Sequence, residues 1–215
     1  MICGIDEAGR GPVIGPMVVA GVLVEDNHLL EKIGVKDSKK LTPMKREGLY
    51  KEIVDKTEYK CIQLPAHRID ELMKSQSLNQ IEVTLFAEII DELCPKHSTV
   101  YVDAASVDED RFGRDILREI SCTVKMISKH GADDIYPAVS AASIIAKVER
   151  DMEIKRIAEE MNQDIGSGYP SDKNTMDFLT NWVNKHGELP DHTRHAWKTS
   201  QKILDMNKTK KLDDF

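Results

Sequence analysis

The sequence predicts an α/β core followed by a helical C-terminal extension. Three observations carry this. Ile2–Ile5 and the wholly apolar run Met17–Val24 (MVVAGVLV) read as neighbouring strands, the second a hairpin partner of the first in a sheet covered on both faces. Further strand-like segments at Tyr59–Leu64, Thr99–Val102 and Thr123–Ile127 alternate with helical patterns. From about Ala138 onward every periodic segment is helical.

The helices follow from local chemistry. His28–Ile33 forms a short helix stopped by Gly34. Thr42 supplies an N-cap, with Pro43 at the first helical position of a helix to about Lys56. Pro65 opens a short helix through Met73. In Asn79–Leu93 apolar side chains recur at Ile81, Leu85, Ile89 and Leu93, with Asn79 as cap and Glu82 completing a capping box. Val107–Ile120 is helical, and a long helix spans about Ala138–Met161. A glycine loop, Gly166-Ser167-Gly168-Tyr169-Pro170, leads to a helix over Asn174–Lys185 and a short one around Ser200–Met206.

Composition narrows the function classes. The 215 residues are 40% hydrophobic and 31% charged, as an ordinary globular protein is, and no apolar run reaches the roughly 20 residues of a membrane helix. The N-terminus lacks a basic region before its apolar stretch, so a signal peptide is not expected. Cys3, Cys61, Cys94 and Cys122 are isolated, which reads as reduced thiols of a cytoplasmic protein. The net charge of −7 argues against a simple basic nucleic-acid binder, yet carboxylates gathered around cations would be neutralised locally.

Those carboxylates sit in a pattern. Asp6 with Glu7, then Asp103, then Asp133 each stand at a strand end or at the start of the next element. In an α/β sheet such ends can converge on one crevice. Three or four converging oxygen ligands suit Mg²⁺ or Mn²⁺ in a two-metal phosphodiester hydrolase. Asp6 and Glu7 leave their strand in different directions, the second still able to reach the same ion from the strand's end. Spacing leaves Asp133 and Asp134 as alternatives, and strand-end aspartates also occur as plain surface groups.

Other candidates are positional. Gly9, Arg10 and Gly11 allow close approach of a phosphate-bearing ligand to the backbone. On the long helix Ser140, Ser143, Lys147 and Asp151 share a face, and Lys147 with Arg150 could meet a phosphate backbone, against a plain Lys147–Asp151 ion pair. Lys39 and Lys40 are phosphate contacts or an ordinary charged loop. Tyr169 can stack on a sugar or base. His192-x-x-His195 has metal-ligand spacing without a third partner, so structural hydrogen bonding is the preferred reading.

Taken together the motifs resemble the ribonuclease HII family in its archaeal form. The resemblance runs from Asp6-Glu7-Ala8-Gly9-Arg10-Gly11-Pro12 through Asp37-Ser38-Lys39-Lys40-Leu41 and Tyr101-Val102-Asp103-Ala104. It continues at Ala132-Asp133, Ser140–Asp151, Gly166–Asp172 and Arg194-His195-x-Trp197-Lys198, with Ala196 where a serine is common. It implies a ribonuclease H-like fold, a mixed central sheet flanked by helices. It also implies a catalytic domain over 1–165, a helical extension over 166–206 with a substrate-sensing loop, and a flexible tail over 207–215.

The implied activity is hydrolysis of the RNA strand of RNA/DNA hybrids, with incision 5′ to single ribonucleotides in duplex DNA, leaving 3′-hydroxyl and 5′-phosphate ends. Asp6, Glu7, Asp103 and Asp133 are then the metal ligands, which selects Asp133 over Asp134. Gly9–Gly11 and Tyr169 read the ribose 2′-hydroxyl. The tail, with Leu212 and Phe215 three residues apart, resembles a sliding-clamp docking motif, with Thr209 where a glutamine is typical and one aromatic residue instead of two. A loosely packed terminus is its alternative. The expected working unit is a monomer with no membrane association. Rival classes are another metal-dependent nuclease or strand-transfer enzyme of the same fold, and a non-catalytic nucleic-acid-binding module.

Overall fold

The computed structural model describes residues 1–35 and 42–213, with residues 210–213 described by backbone alone. Lys39, Lys40 and Phe215 therefore lie outside the described residues, as does the side chain of Leu212. In chain order the strands are β1 (Ile2–Ala8), β2 (Met17–Val24), β3 (Glu58–Leu64), β4 (Thr99–Asp103) and β5 (Lys125–Lys129). The first helices are α1 (His28–Ile33), α2 (Pro43–Lys56), α3 (Ala66–Leu72), α4 (Leu78–Leu93) and α5 (Glu109–Glu119). After β5 come α6 (Ala132–Ile135), α7 (Pro137–Met161), α8 (Lys173–His186) and α9 (Lys198–Asp213). No helix of the described residues is long and apolar enough to cross a membrane.

The chain forms two compact units. The first comprises Met1–Ala8, Val18–Gln63 and Gln76–Glu149, the second Gly9–Met17, Leu64–Ser75 and Arg150–Phe215. The last segment of the second unit begins at Arg150, within α7. The second unit also takes in two earlier segments that no local signal marks as belonging there.

In the first unit the sheet order is β3-β2-β1-β4-β5. β1 pairs antiparallel with β2 and parallel with β4, which in turn runs parallel to β5, so the sheet is mixed as expected. Glycines mark how closely helices approach it. A Cβ on Gly4 would lie 2.1 Å from the Ala138 carbonyl carbon, so the start of α7 rests directly on β1. On Gly21 it would lie 2.4 Å from Ile89, which places α4 on the other face. With both faces covered, β2 is buried along its whole length.

Local signals mostly held. Thr42 caps α2 by accepting from the Lys45 N–H, and Gly34 ends α1 in the left-handed region. One cap differs: Ser77, not Asn79, caps α4, and the capping box is closed by Gln80 instead of Glu82. Glu82 is instead buried on the inner side of α4.

The second unit packs Val13 and Ile14 against Ile154, Ile157, Phe178 and Leu179. Asp172 caps α8 through the Asn174 N–H, and Gly187 closes it at φ 80°. The expected short helix at Ser200–Met206 runs instead from Lys198 to Asp213, so its backbone is helical well into the stretch expected to be flexible.

Candidate metal centre and the arginine-held loop

The first unit builds an acidic centre by register. Side chains alternate along β1, so Asp6 shares the α7-covered face with Gly4, while Glu7 turns to the face of Ile5. Gly4 pairs with Tyr101 and Ile5 with Val102, and one step further the same register sets Asp103 beside Asp6. β5 then turns at Gly131 (φ 64°) into α6, whose first turn carries Asp133. Asp6, Asp103 and Asp133 each offer an oxygen, and the three oxygens lie within 4.8 Å of one another. Glu7 is not a member of this cluster.

Backbone and helix donors hold the carboxylates in place. Asp6 accepts from the Glu7 N–H at 2.8 Å, and Asp103 from the Gly131 N–H at 2.9 Å. From α7, Lys147 donates to the Ser143 hydroxyl at 2.7 Å and reaches within 4.0 Å of Asp133. Asp6 is 5% exposed, and its carboxyl is pushed up to about 7. Burial is the main cause and the Asp103 charge the second. The Ser143 hydrogen bond, the Lys147 charge and the Glu7 N–H oppose them.

The donor set fits a pair of hard divalent cations. It is made of carboxylate oxygens only, with no thiolate or imidazole among them, and ionisation of Asp6 is held back first by burial and then by repulsion from Asp103, which a cation would offset. The triad suits a two-metal Mg²⁺ or Mn²⁺ site.

The second unit builds a rigid loop. Gly9 adopts φ 85°, and a Cβ there would lie 2.5 Å from the Pro16 carbonyl oxygen, so only glycine fits. The Val13 N–H donates to the Gly168 carbonyl at 2.8 Å and the Gly15 N–H to that of His192 at 2.9 Å. Tyr169 lies beside the loop, its Cε1 3.9 Å from where a Gly11 Cβ would be. Arg150 stacks on the Tyr169 ring, 4.7 Å from its centroid, and donates to the Ser167 carbonyl at 2.6 Å.

The candidates thus sort by place. Asp6, Asp103, Asp133, Ser143 and Lys147 come together in the first unit; Gly9, Gly11, Arg150 and Tyr169 in the second. Ser140 joins neither group, because its hydroxyl donates to the Val35 carbonyl at 2.5 Å and is buried. Arg150 is 5% exposed and engaged with Tyr169 and Ser167, which makes it a support for the loop. It also pairs with Asp151 at 3.5 Å, taking the partner the sequence had offered to Lys147. The His192 imidazole contacts Glu160 at 3.3 Å, a structural bond as expected, whereas at His195 it is the backbone N–H that donates to Asp70. The four cysteines are free thiols.

One residue that holds the rigid loop has no local signal in the sequence. Arg194 donates to the carbonyls of Gly15, Arg10 and Gly9 at 3.0, 3.0 and 2.6 Å. Its only sequence signal is its place in the Arg-His-x-Trp-Lys motif, since a side chain that reaches back some 180 residues leaves no local pattern.

A family model described as Ribonuclease HII matches residues 3–200. The chain belongs to the ribonuclease HII family. The ribonuclease HII of Thermococcus kodakarensis is 47% identical over 213 residues, covering 98% of this chain and 92% of that protein. The crystal structure of ribonuclease H2 from Pyrococcus horikoshii is similar with a TM-score of 0.89 at 39% identity, over 96% of this chain and 98% of that one. A structure of a PCNA:RNase HII complex from Archaeoglobus fulgidus gives a TM-score of 0.87 at 43% identity over the full length of both chains. The shared fold is the ribonuclease H-like one, with α8 and α9 as its C-terminal helices.

Proposed function

We propose that this ribonuclease HII is an endoribonuclease that hydrolyses the RNA strand of RNA/DNA hybrids and incises 5′ to single ribonucleotides in duplex DNA. The products carry 3′-hydroxyl and 5′-phosphate ends. One observation carries the reading: a triad of carboxylates within 4.8 Å, in a chain of this family. Divalent cations, when bound, supply an activated water and stabilise the leaving oxygen.

The residues do the rest. Asp6, Asp103 and Asp133 would hold the ions, and the family resemblance alone adds Glu7, which stands outside that cluster, as a fourth ligand. Ser143 and Lys147 orient and partly neutralise the carboxylates before the ions arrive. Gly9, Arg10, Gly11 and Tyr169 test for the 2′-hydroxyl, the one group that separates RNA from DNA at a given position. Backbone groups suit that task because the trapped loop cannot adapt to a substrate that lacks it. Lys39 and Lys40 contribute phosphate contacts.

The tail, through Leu212 and Phe215, docks on a sliding clamp. The support is its spacing of apolar side chains and the relative found in complex with PCNA. We place the enzyme in the cytoplasm, where its four free thiols stay reduced.

The test is a DNA duplex with one ribonucleotide beside an all-DNA control, each with Mg²⁺, Mn²⁺ or a chelator. Metal-dependent cutting 5′ to the ribonucleotide alone is expected. Equal cutting of both duplexes would instead favour a general nuclease of the same fold.

A further inference from the structure

Arg194 is a fully buried arginine that takes no part in metal binding or bond breaking in the proposed chemistry. We propose that it is the positioning residue of the Gly9–Gly11 loop, and that its fork sets how well the loop distinguishes ribose from deoxyribose. The proposal rests on the reading above that this loop tests the 2′-hydroxyl.

The argument is one of peptide geometry. In a trans peptide the carbonyl and the following N–H point in opposite directions, and there is no cis bond among the described residues. The Gly9 carbonyl shares its peptide plane with the Arg10 N–H, and the Arg10 carbonyl shares its plane with the Gly11 N–H. Nη2 and Nη1 of Arg194 take those two carbonyls. The amide protons of Arg10 and Gly11 are thereby turned away from the guanidinium. Nε takes the Gly15 carbonyl, which fixes the far end of the same loop. One planar group thus sets the direction of two adjacent donors.

Arg194 is itself held with little freedom. Its N–H donates to the Val13 carbonyl at 2.8 Å, and its own carbonyl accepts from the Ser200 hydroxyl at 2.7 Å. The Trp197 ring lies 4.8 Å from the guanidinium carbon. The next two N–H groups, of His195 and Ala196, are fixed by Asp70. Lysine could keep the charge but not the arrangement, because one ammonium cannot address three carbonyls in a plane.

The experiment compares the full-length wild type with Arg194→Lys in Ca²⁺, reading affinity for a duplex with one ribonucleotide and for its all-DNA counterpart. Wild type should prefer the ribonucleotide duplex. Arg194→Lys should lose that preference about tenfold while its affinity for the all-DNA duplex stays within about twofold. A merely structural role would weaken both duplexes together, and that result, or an unchanged preference in the folded variant, overturns the proposal. If wild type shows no preference, it is the reading of the loop that fails. Should Arg194→Lys not fold, amide spectra of the wild type decide. The Arg10 and Gly11 amide protons should shift with the ribonucleotide duplex and not with the all-DNA one, and their failure to move overturns the proposal.

Discussion

Lys147 donates to Ser143 at 2.7 Å, and this contact parks an ammonium 4.0 Å from the Asp133 carboxylate. It is a counter-charge to the acidic triad. Lys147→Met should therefore raise Mn²⁺ affinity by roughly 3- to 30-fold, because a cation 4 Å away no longer competes for the same carboxylates. Calorimetric titration at pH 8.5, above the value of about 7 at which Asp6 titrates with Lys147 in place, measures this. Unchanged or weaker binding would show that Lys147 does not compete with the metal.

Asp6 makes the metal centre pH-dependent. Its carboxyl is pushed up to about 7, and a bound cation requires the ionised form. Metal affinity should fall by up to about tenfold per pH unit below 7 and level off above it. Stability of the metal-free protein runs the other way. Between pH 3.8 and 7 the folded state keeps a proton that the unfolded state has released, so this group lowers stability as pH rises. Asp6→Asn should stabilise the metal-free protein by on the order of 2–4 kcal/mol at pH 8, and by almost nothing at pH 4. Denaturant unfolding at the two pH values checks the sign.

Gly4→Ala tests how α7 is set on the sheet. The added methyl would meet backbone atoms of Ala138 and Val139 at 2.1 and 2.2 Å, and backbone cannot rotate away as a side chain can. A loss of about 2–4 kcal/mol is expected in denaturant unfolding. A loss under about 1 kcal/mol would mean that α7 shifts easily, and with it Ser143 and Lys147.

Tyr169 separates sensing from holding. Tyr169→Ala removes both the hydroxyl and the ring on which Arg150 stacks, whereas Tyr169→Phe keeps the ring. Cleavage of the single-ribonucleotide duplex should fall more than duplex affinity in the alanine variant, since phosphates supply most of the affinity. Equal loss of affinity for all-DNA duplex would make Tyr169 a general clamp.

Much of this is legible in the sequence. Strand ends carry the triad, and alternation along β1 correctly sent Asp6 and Glu7 to different faces. That Asp103 falls beside Asp6 is a matter of register, which depends on partners distant in sequence. Arg150 reads as solvent-facing beside Lys147 in a helical pattern, while its stack on Tyr169 depends on a loop 19 residues on. The Ser77 cap was missed because Asn79 and Glu82 offer the same spacing as Ser77 and Gln80; burial of Glu82 decides between them. Arg194 was out of reach, since its three acceptors are backbone carbonyls and leave no mark on the side chains around them.

The account stands most directly on the triad as the seat of hydrolysis. The measurement is single-turnover cleavage of a duplex with one ribonucleotide in Mg²⁺ by Asp103→Asn and by Asp134→Asn, beside the wild type. Asp103→Asn keeps the shape and removes a ligand charge, so it should lose at least about a thousandfold in rate while folding normally. Asp134→Asn should stay within about threefold of wild type, since Asp134 is exposed and outside the triad. Substantial Mg²⁺-dependent cleavage by Asp103→Asn, or equal loss in both variants, would contradict the account.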